Sequence, residues 1–94
     1  MKNAKVIFGP GVDDAIIALI DYVDPSDIPQ VLNFIEGIQN RLVKTLSTLP
    51  EGGSLFQGSV RSFVVEGYVF LYEYRPNLNE VHVHEMNAPG QNWR

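Results

Sequence analysis

Two histidines and one arginine are the residues of this chain best suited to chemistry. His82 and His84 stand two apart in a run that alternates with Val81 and Val83. On a strand that spacing puts both rings on one face, about 7 Å apart. Such a pair can hold a metal if a third ligand converges, here Glu66 or Glu73. The chain has no other histidine and no cysteine, so no metal and no cofactor is expected. The same pair could instead act as a general acid and base, or simply sit half-exposed at an edge or interface. Arg61, between Val60 and Ser62, is expected on the open face of a sheet. There it would touch a target or a partner protein, or pair with an acid such as Glu73 or Glu85.

Aromatic residues form a second series. Tyr68, Phe70, Tyr72 and Tyr74 recur at strand spacing. A base-stacking platform needs flanking cations. Only Arg61 and Arg75 lie near, against Glu66, Glu73, Glu80 and Glu85. Core and partner-interface roles are therefore expected, with Tyr72 and Tyr74 assigned, beside Arg61 and His84, to a partner surface. Trp93 and Arg94 close a polar tail, where the indole would serve as an anchor on itself or on a partner.

The elements that must position these groups fit in 94 residues, enough for one domain over 1–94. A hydrophobic fraction of 45% supports a packed core. Eleven acidic against seven basic residues give a charge of −4, the opposite of a protein that holds nucleic acid through phosphates. The absence of cysteine removes disulfides and thiolate chemistry and fits a reducing compartment. The longest apolar run, residues 15–20, lies between Asp14 and Asp21 and falls far short of the ~20 residues needed to span a bilayer. A cytoplasmic protein without membrane contact is expected.

Lys5–Phe8, apolar and β-branched, reads as a strand stopped by Gly9-Pro10-Gly11. Residues 12–23 carry a helical stripe at 12, 16, 19, 20 and 23. A longer helix is expected from about Asp27, with Asp27 and Gln30 as a capping box and Pro29 in the first turn. It runs to Leu49, before Pro50 and Gly52-Gly53. Gly37 within it suggests close approach to the first helix. From Ser59 the period becomes two. Val60–Val65 and residues 68–74 form a hairpin about Glu66-Gly67, and residues 80–86 form the last strand. Valines 81 and 83 should face the helices and the histidines the other side. The strand at 68–74 is apolar on both faces, so it should be central. The reading is an α+β fold of order β-α-α-β-β-β, a helical hairpin on a small antiparallel sheet, with residues 87–94 as an irregular tail.

This order, with several short motifs, resembles the RelE/ParE superfamily of type II toxins over most of the chain. The carrying features are Ile20-Asp21-Tyr22-Val23, Leu46-Ser47-Thr48-Leu49-Pro50 with Gly52-Gly53, Val60-Arg61-Ser62-Phe63, and residues 67–74 from Gly67-Tyr68 to Glu73-Tyr74. The resemblance implies a toxin neutralised by a cognate antitoxin. One branch cleaves mRNA on the ribosome, and the other inhibits DNA gyrase. The nuclease branch uses clustered basic residues and a Tyr or His near the C-terminus. Here residues 50–66 hold one basic residue, Arg61, and nothing after Met86 is His or Tyr. The gyrase branch carries a histidine after the last strand, where this chain has Ala88. The gyrase reading demands only a binding surface, so a ParE-like gyrase inhibitor is the first expectation. The alternatives are a RelE-like ribosome-dependent endonuclease using Arg61, His82 and His84, or an inactive relative that only binds. A homodimer and a toxin–antitoxin hetero-oligomer are both open.

Overall fold

Five strands form one sheet in the order Lys5–Phe8, Glu80–Asn87, Tyr68–Arg75, Val60–Val65 and Ser54–Gln57. The computed structural model describes residues 2–90. The strands are β1 (Lys5–Phe8), β2 (Ser54–Gln57), β3 (Val60–Val65), β4 (Tyr68–Arg75) and β5 (Glu80–Asn87). The helices are α1 (Pro10–Ile20) and α2 (Ile28–Thr48). The α+β reading holds, with one strand more than the sequence suggested. Strand β2 is four residues long and exposed along its whole length, so no buried alternation marked it. It pairs antiparallel with β3. At the other edge β1 pairs parallel with β5, putting the first strand beside the last.

Helix α2 supplies most of the helical core. Ile35, Ile38, Leu42 and Leu46 are buried along it, whereas α1 buries only Val12. Val12, Ile38, Leu42 and Leu46 form one cluster with Val65, Phe70, Tyr72, Val81, Val83 and Met86 of the sheet. Val81 and Val83 thus face the helices, as their alternation with the histidines requires. Val69 and Leu71, on the other face of β4, are buried as well, so this central strand is apolar on both sides.

Helix boundaries differ from the sequence reading for local reasons. Pro10 occupies the first turn of α1, where a missing N–H costs nothing. The helix ends at Ile20, and Tyr22 is almost fully exposed. Before α2, the capping carboxylate is Asp24 rather than Asp27. Asp24 Oδ1 accepts from Ser26 N at 3.0 Å and Ser26 Oγ at 2.8 Å, starting a 3-10 turn over Pro25–Asp27. Asp27 is already in the helical region (φ −98°, ψ −7°), where its side chain makes no cap bond. Gly37 serves no helix contact, since a Cβ built there meets nothing within 4 Å.

Two local features shape the sheet. Glu66 and Gly67 both have positive φ (52° and 79°), as a two-residue turn between right-twisting strands requires. Between β4 and β5 the register slips: Leu71 faces Glu85, but Tyr72 faces Val83. His84 is the extra residue of this bulge.

Candidate functional site on the open sheet face

On the face turned away from the helices, Glu73 and His82 are cross-strand partners. Glu73 makes the better-connected cluster with His84. The His84 Nε2 lies 2.9 Å from Glu73 Oε1, and Ser59 Oγ donates to Glu73 Oε2 at 2.5 Å. Ser59 first, then His84, holds the Glu73 carboxyl below the usual carboxylate range. An ionised carboxylate only accepts hydrogen bonds, so Nε2 must carry the proton in this contact. Nδ1 of His84 has no hydrogen-bond partner among the described residues. The side chain stays 39% exposed.

His82 is held differently. Its Nε2 lies 2.9 Å from Glu80 Oε1, two residues away on the same strand. The two histidines therefore answer to two separate carboxylates. Among the described residues no group of three ligating side chains could hold a metal. Glu66, considered above as a third ligand, is at the β3–β4 turn, paired with Arg41 at 2.9 Å.

Arg61 is not on this face, which corrects the sequence reading. It lies opposite Tyr72 in register and so shares the helix side of the sheet. Its Nη1 donates to the carbonyls of Gly53 (2.9 Å) and Glu51 (3.2 Å), and Nη2 lies 3.6 Å from Glu51 Oε2. Arg61 is thus a clamp on the loop between α2 and β2, and its ion pair is with Glu51 instead of Glu73 or Glu85. Tyr72 is also corrected. It is fully buried, and its hydroxyl accepts from Gly53 N at 2.9 Å, so it offers nothing to a partner. Burial pushes the Tyr72 phenol up from its ordinary value. Tyr74 is half-buried and donates to Asn79 Oδ1 at 2.8 Å. Among the described members of the expected partner-surface set, Arg61, Tyr72 and Tyr74 are engaged within the fold, and His84 is the most exposed at the site. Trp93 and Arg94 lie outside the described residues.

Sequence reasoning missed Ser59 and the positional role of Glu73. The available signal was slight: Ser59 follows Gly58, whose φ of +55° closes the β2–β3 turn. That turn delivers Ser59 to the end of the open face.

No protein-family model matches the chain, and no curated protein matches it by sequence. Solved structures do match. One is the toxin–antitoxin complex RelBE2 from Mycobacterium tuberculosis, with a TM-score of 0.63 at 15% identity, covering 97% of each chain. Another is the isolated RelE toxin from E. coli, with a TM-score of 0.57 at 13% identity, covering 96% of this chain and 88% of that one. Over almost its whole length, this chain has the fold of the RelE toxins.

Proposed function

We propose that this chain is the toxin of a type II toxin–antitoxin pair and works as a RelE-like, ribosome-dependent mRNA endonuclease, with His84 as its proton-transfer residue. The observation that carries this reading is His84 itself. One ring nitrogen is pinned by a carboxylate, and the other has no hydrogen-bond partner among the described residues, on a side chain that is 39% exposed. Its fold neighbours are RelE proteins, which supports the nuclease branch over the gyrase inhibitor. Nothing at the site favours gyrase. Relative to the sequence expectation, Arg61 leaves the catalytic set and His82 stands aside, paired with Glu80.

The reaction needs a base. Nδ1 of His84 takes the proton of a ribose 2′-hydroxyl. The 2′ oxygen bonds to the adjacent phosphorus and the bond from phosphorus to the 5′ oxygen breaks. A 2′,3′-cyclic phosphate results, and the 5′ oxygen takes a proton from water. The imidazolium then returns its proton to solvent. On this reading the protein works in the cytoplasm, where mRNA is translated.

A cognate antitoxin is the expected partner, as in the RelBE2 complex. Apolar surface is available for it along α2, where Phe34 is half-exposed beside Gly37, Ile38 and the Arg41–Glu66 pair. Induced expression of the chain alone should arrest bacterial growth. mRNA in a translating extract should be cut by the purified chain and left intact by His84→Ala. Inhibition of purified gyrase without any cleavage would reverse the choice of branch. Normal growth at confirmed soluble expression would leave only the inert relative.

A further inference from the structure

We propose that Ser59 and Glu73 are positioning residues for His84, fixing its ring so that Nε2–H is engaged and Nδ1 is the nitrogen offered to substrate. The chemical consequence rests on the nuclease reading above. The placement of the ring does not.

Three independent restraints converge on His84. The first is the hydrogen-bond chain. Ser59 Oγ donates to one oxygen of Glu73, and the other oxygen faces Nε2. With both oxygens hydrogen-bonded, the carboxylate is held against the ring from two sides. The second restraint is the bulge, which makes His84 an additional residue between the pairs Leu71–Glu85 and Tyr72–Val83. Bulges re-aim a side chain out of the regular alternation. The third is the start of α1. Gly9 N donates to Val83 O at 2.9 Å, and a Cβ on Gly11 would lie 2.2 Å from the His84 carbonyl oxygen. The helix therefore abuts the bulge backbone at a distance only glycine allows.

His82 shows what an unsupported histidine on the same strand looks like. Its carboxylate comes from Glu80, its own near neighbour, and among the described residues no third side chain is hydrogen-bonded to that acid. The other charged groups of this region are Arg75, near Glu73, and Glu85, which is exposed on β5. Lys5 on β1 faces Glu80 in register. None of these is hydrogen-bonded to the His84 ring.

The test combines a spectroscopic and a kinetic measurement on the full chain. Long-range proton–nitrogen NMR at mildly alkaline pH reads the tautomer of each neutral histidine. His84 should be wholly Nε2–H in the wild type and become a mixture in Glu73→Ala. Glu73→Gln keeps a carbonyl acceptor and should restore the tautomer. His82 should not respond to either change, which controls for general disruption. In the translating extract, Glu73→Ala should lower kcat roughly tenfold or more with KM unchanged, within the ~10²–10⁴-fold that a positioned base contributes. Ser59→Ala should show a smaller loss of the same kind. An Nδ1–H ring in the wild type, an unchanged tautomer in Glu73→Ala, or undiminished cleavage by that variant would overturn the proposal. The expected tautomers in a wild-type chain that cuts no mRNA would uphold the positioning and remove the nuclease reading.

Discussion

Gly11 and Gly37 both sit inside helices, yet replacing each by alanine should move stability in opposite directions. In Gly11→Ala the new methyl would lie 2.2 Å from the His84 carbonyl oxygen and 3.4 Å from its carbon. Ordinary C···O contact needs about 3.3 Å, so helix and bulge must separate by about 1 Å. The obstacle is backbone, held by the β4–β5 ladder on one side and by the Gly9–Val83 hydrogen bond on the other. No side chain can rotate away. Forcing extra volume into such a contact costs about 1–3 kcal/mol. Better helix propensity returns at most ~1 kcal/mol, and less in a first turn. The net loss is about 1–2 kcal/mol, and each kcal/mol moves Tm by about 4–8 °C in a domain of this size. At Gly37 a Cβ meets nothing, so only the propensity term remains and Tm should rise by a few degrees. Thermal unfolding followed by far-UV circular dichroism measures both. A Gly11→Ala chain as stable as the wild type, or a Gly37→Ala chain that is less stable, would refute the reasoning.

Arg61→Lys keeps the charge but not the fork that spans two carbonyls and the Glu51 carboxylate. It should lower stability by about 1–2 kcal/mol in urea titrations and leave cleavage per folded molecule unchanged. Asn79 holds a φ of +51°, accepts from Tyr74 and donates to the carbonyls of Lys2 and Asn3. Asn79→Ala should cost about 2 kcal/mol and speed hydrogen exchange in β1, and Asn79→Gly should recover the backbone part. The Glu73 carboxyl titrates lower when folded than when unfolded, so the unfolded chain takes up its proton first as pH falls. Its contribution is complete above the unfolded value and disappears as pH drops through the folded one. The slope of Tm against pH across the acid range should accordingly be shallower in Glu73→Gln, and equal slopes would count against the hydrogen bonds described.

The β5 alternation was legible because its two faces differ in kind: Val81 and Val83 are fully buried and the histidines are not. Glu66-Gly67 was legible because few residue pairs tolerate two positive φ angles. Arg61 was misplaced for a reason that β3 itself contains. Its odd positions are Arg61, Phe63 and Val65, and its even ones are Val60, Ser62 and Val64. Both sets hold two apolar residues, so periodicity gives no parity, and the charge of Arg61 suggested the open side. Tertiary structure decided otherwise, because the loop after α2 leaves carbonyls at Glu51 and Gly53 that a guanidinium can satisfy. Strand β2 and the β5 bulge left no trace for a related reason. An exposed edge strand has no buried face, and a bulge changes pairing without changing residue type.

On the nuclease reading proposed above, the relocation of Arg61 also sets how this face would treat RNA. Electrostatic stabilisation of the developing charge is usually the largest catalytic contribution, and losing one well-placed donor costs about 10²–10³ in rate. With Arg61 under the loop, Lys5, opposite Glu80, and Arg75, near Glu73, are the cations among the described residues that β1 and β4 bring toward the open face. Each stands beside an acid, and the chain as a whole carries −4. His84 can move a proton, but little here neutralises a phosphate. A nuclease built this way must find that charge on the surface that presents its substrate, so cleavage should depend on the translating ribosome. Naked mRNA should be cut at least ~10²-fold more slowly than mRNA in a translating extract at equal protein concentration. Equal rates on the two substrates would mean that the chain holds a phosphate-stabilising group of its own, and the reasoning from the scarcity of cations on this face would fail.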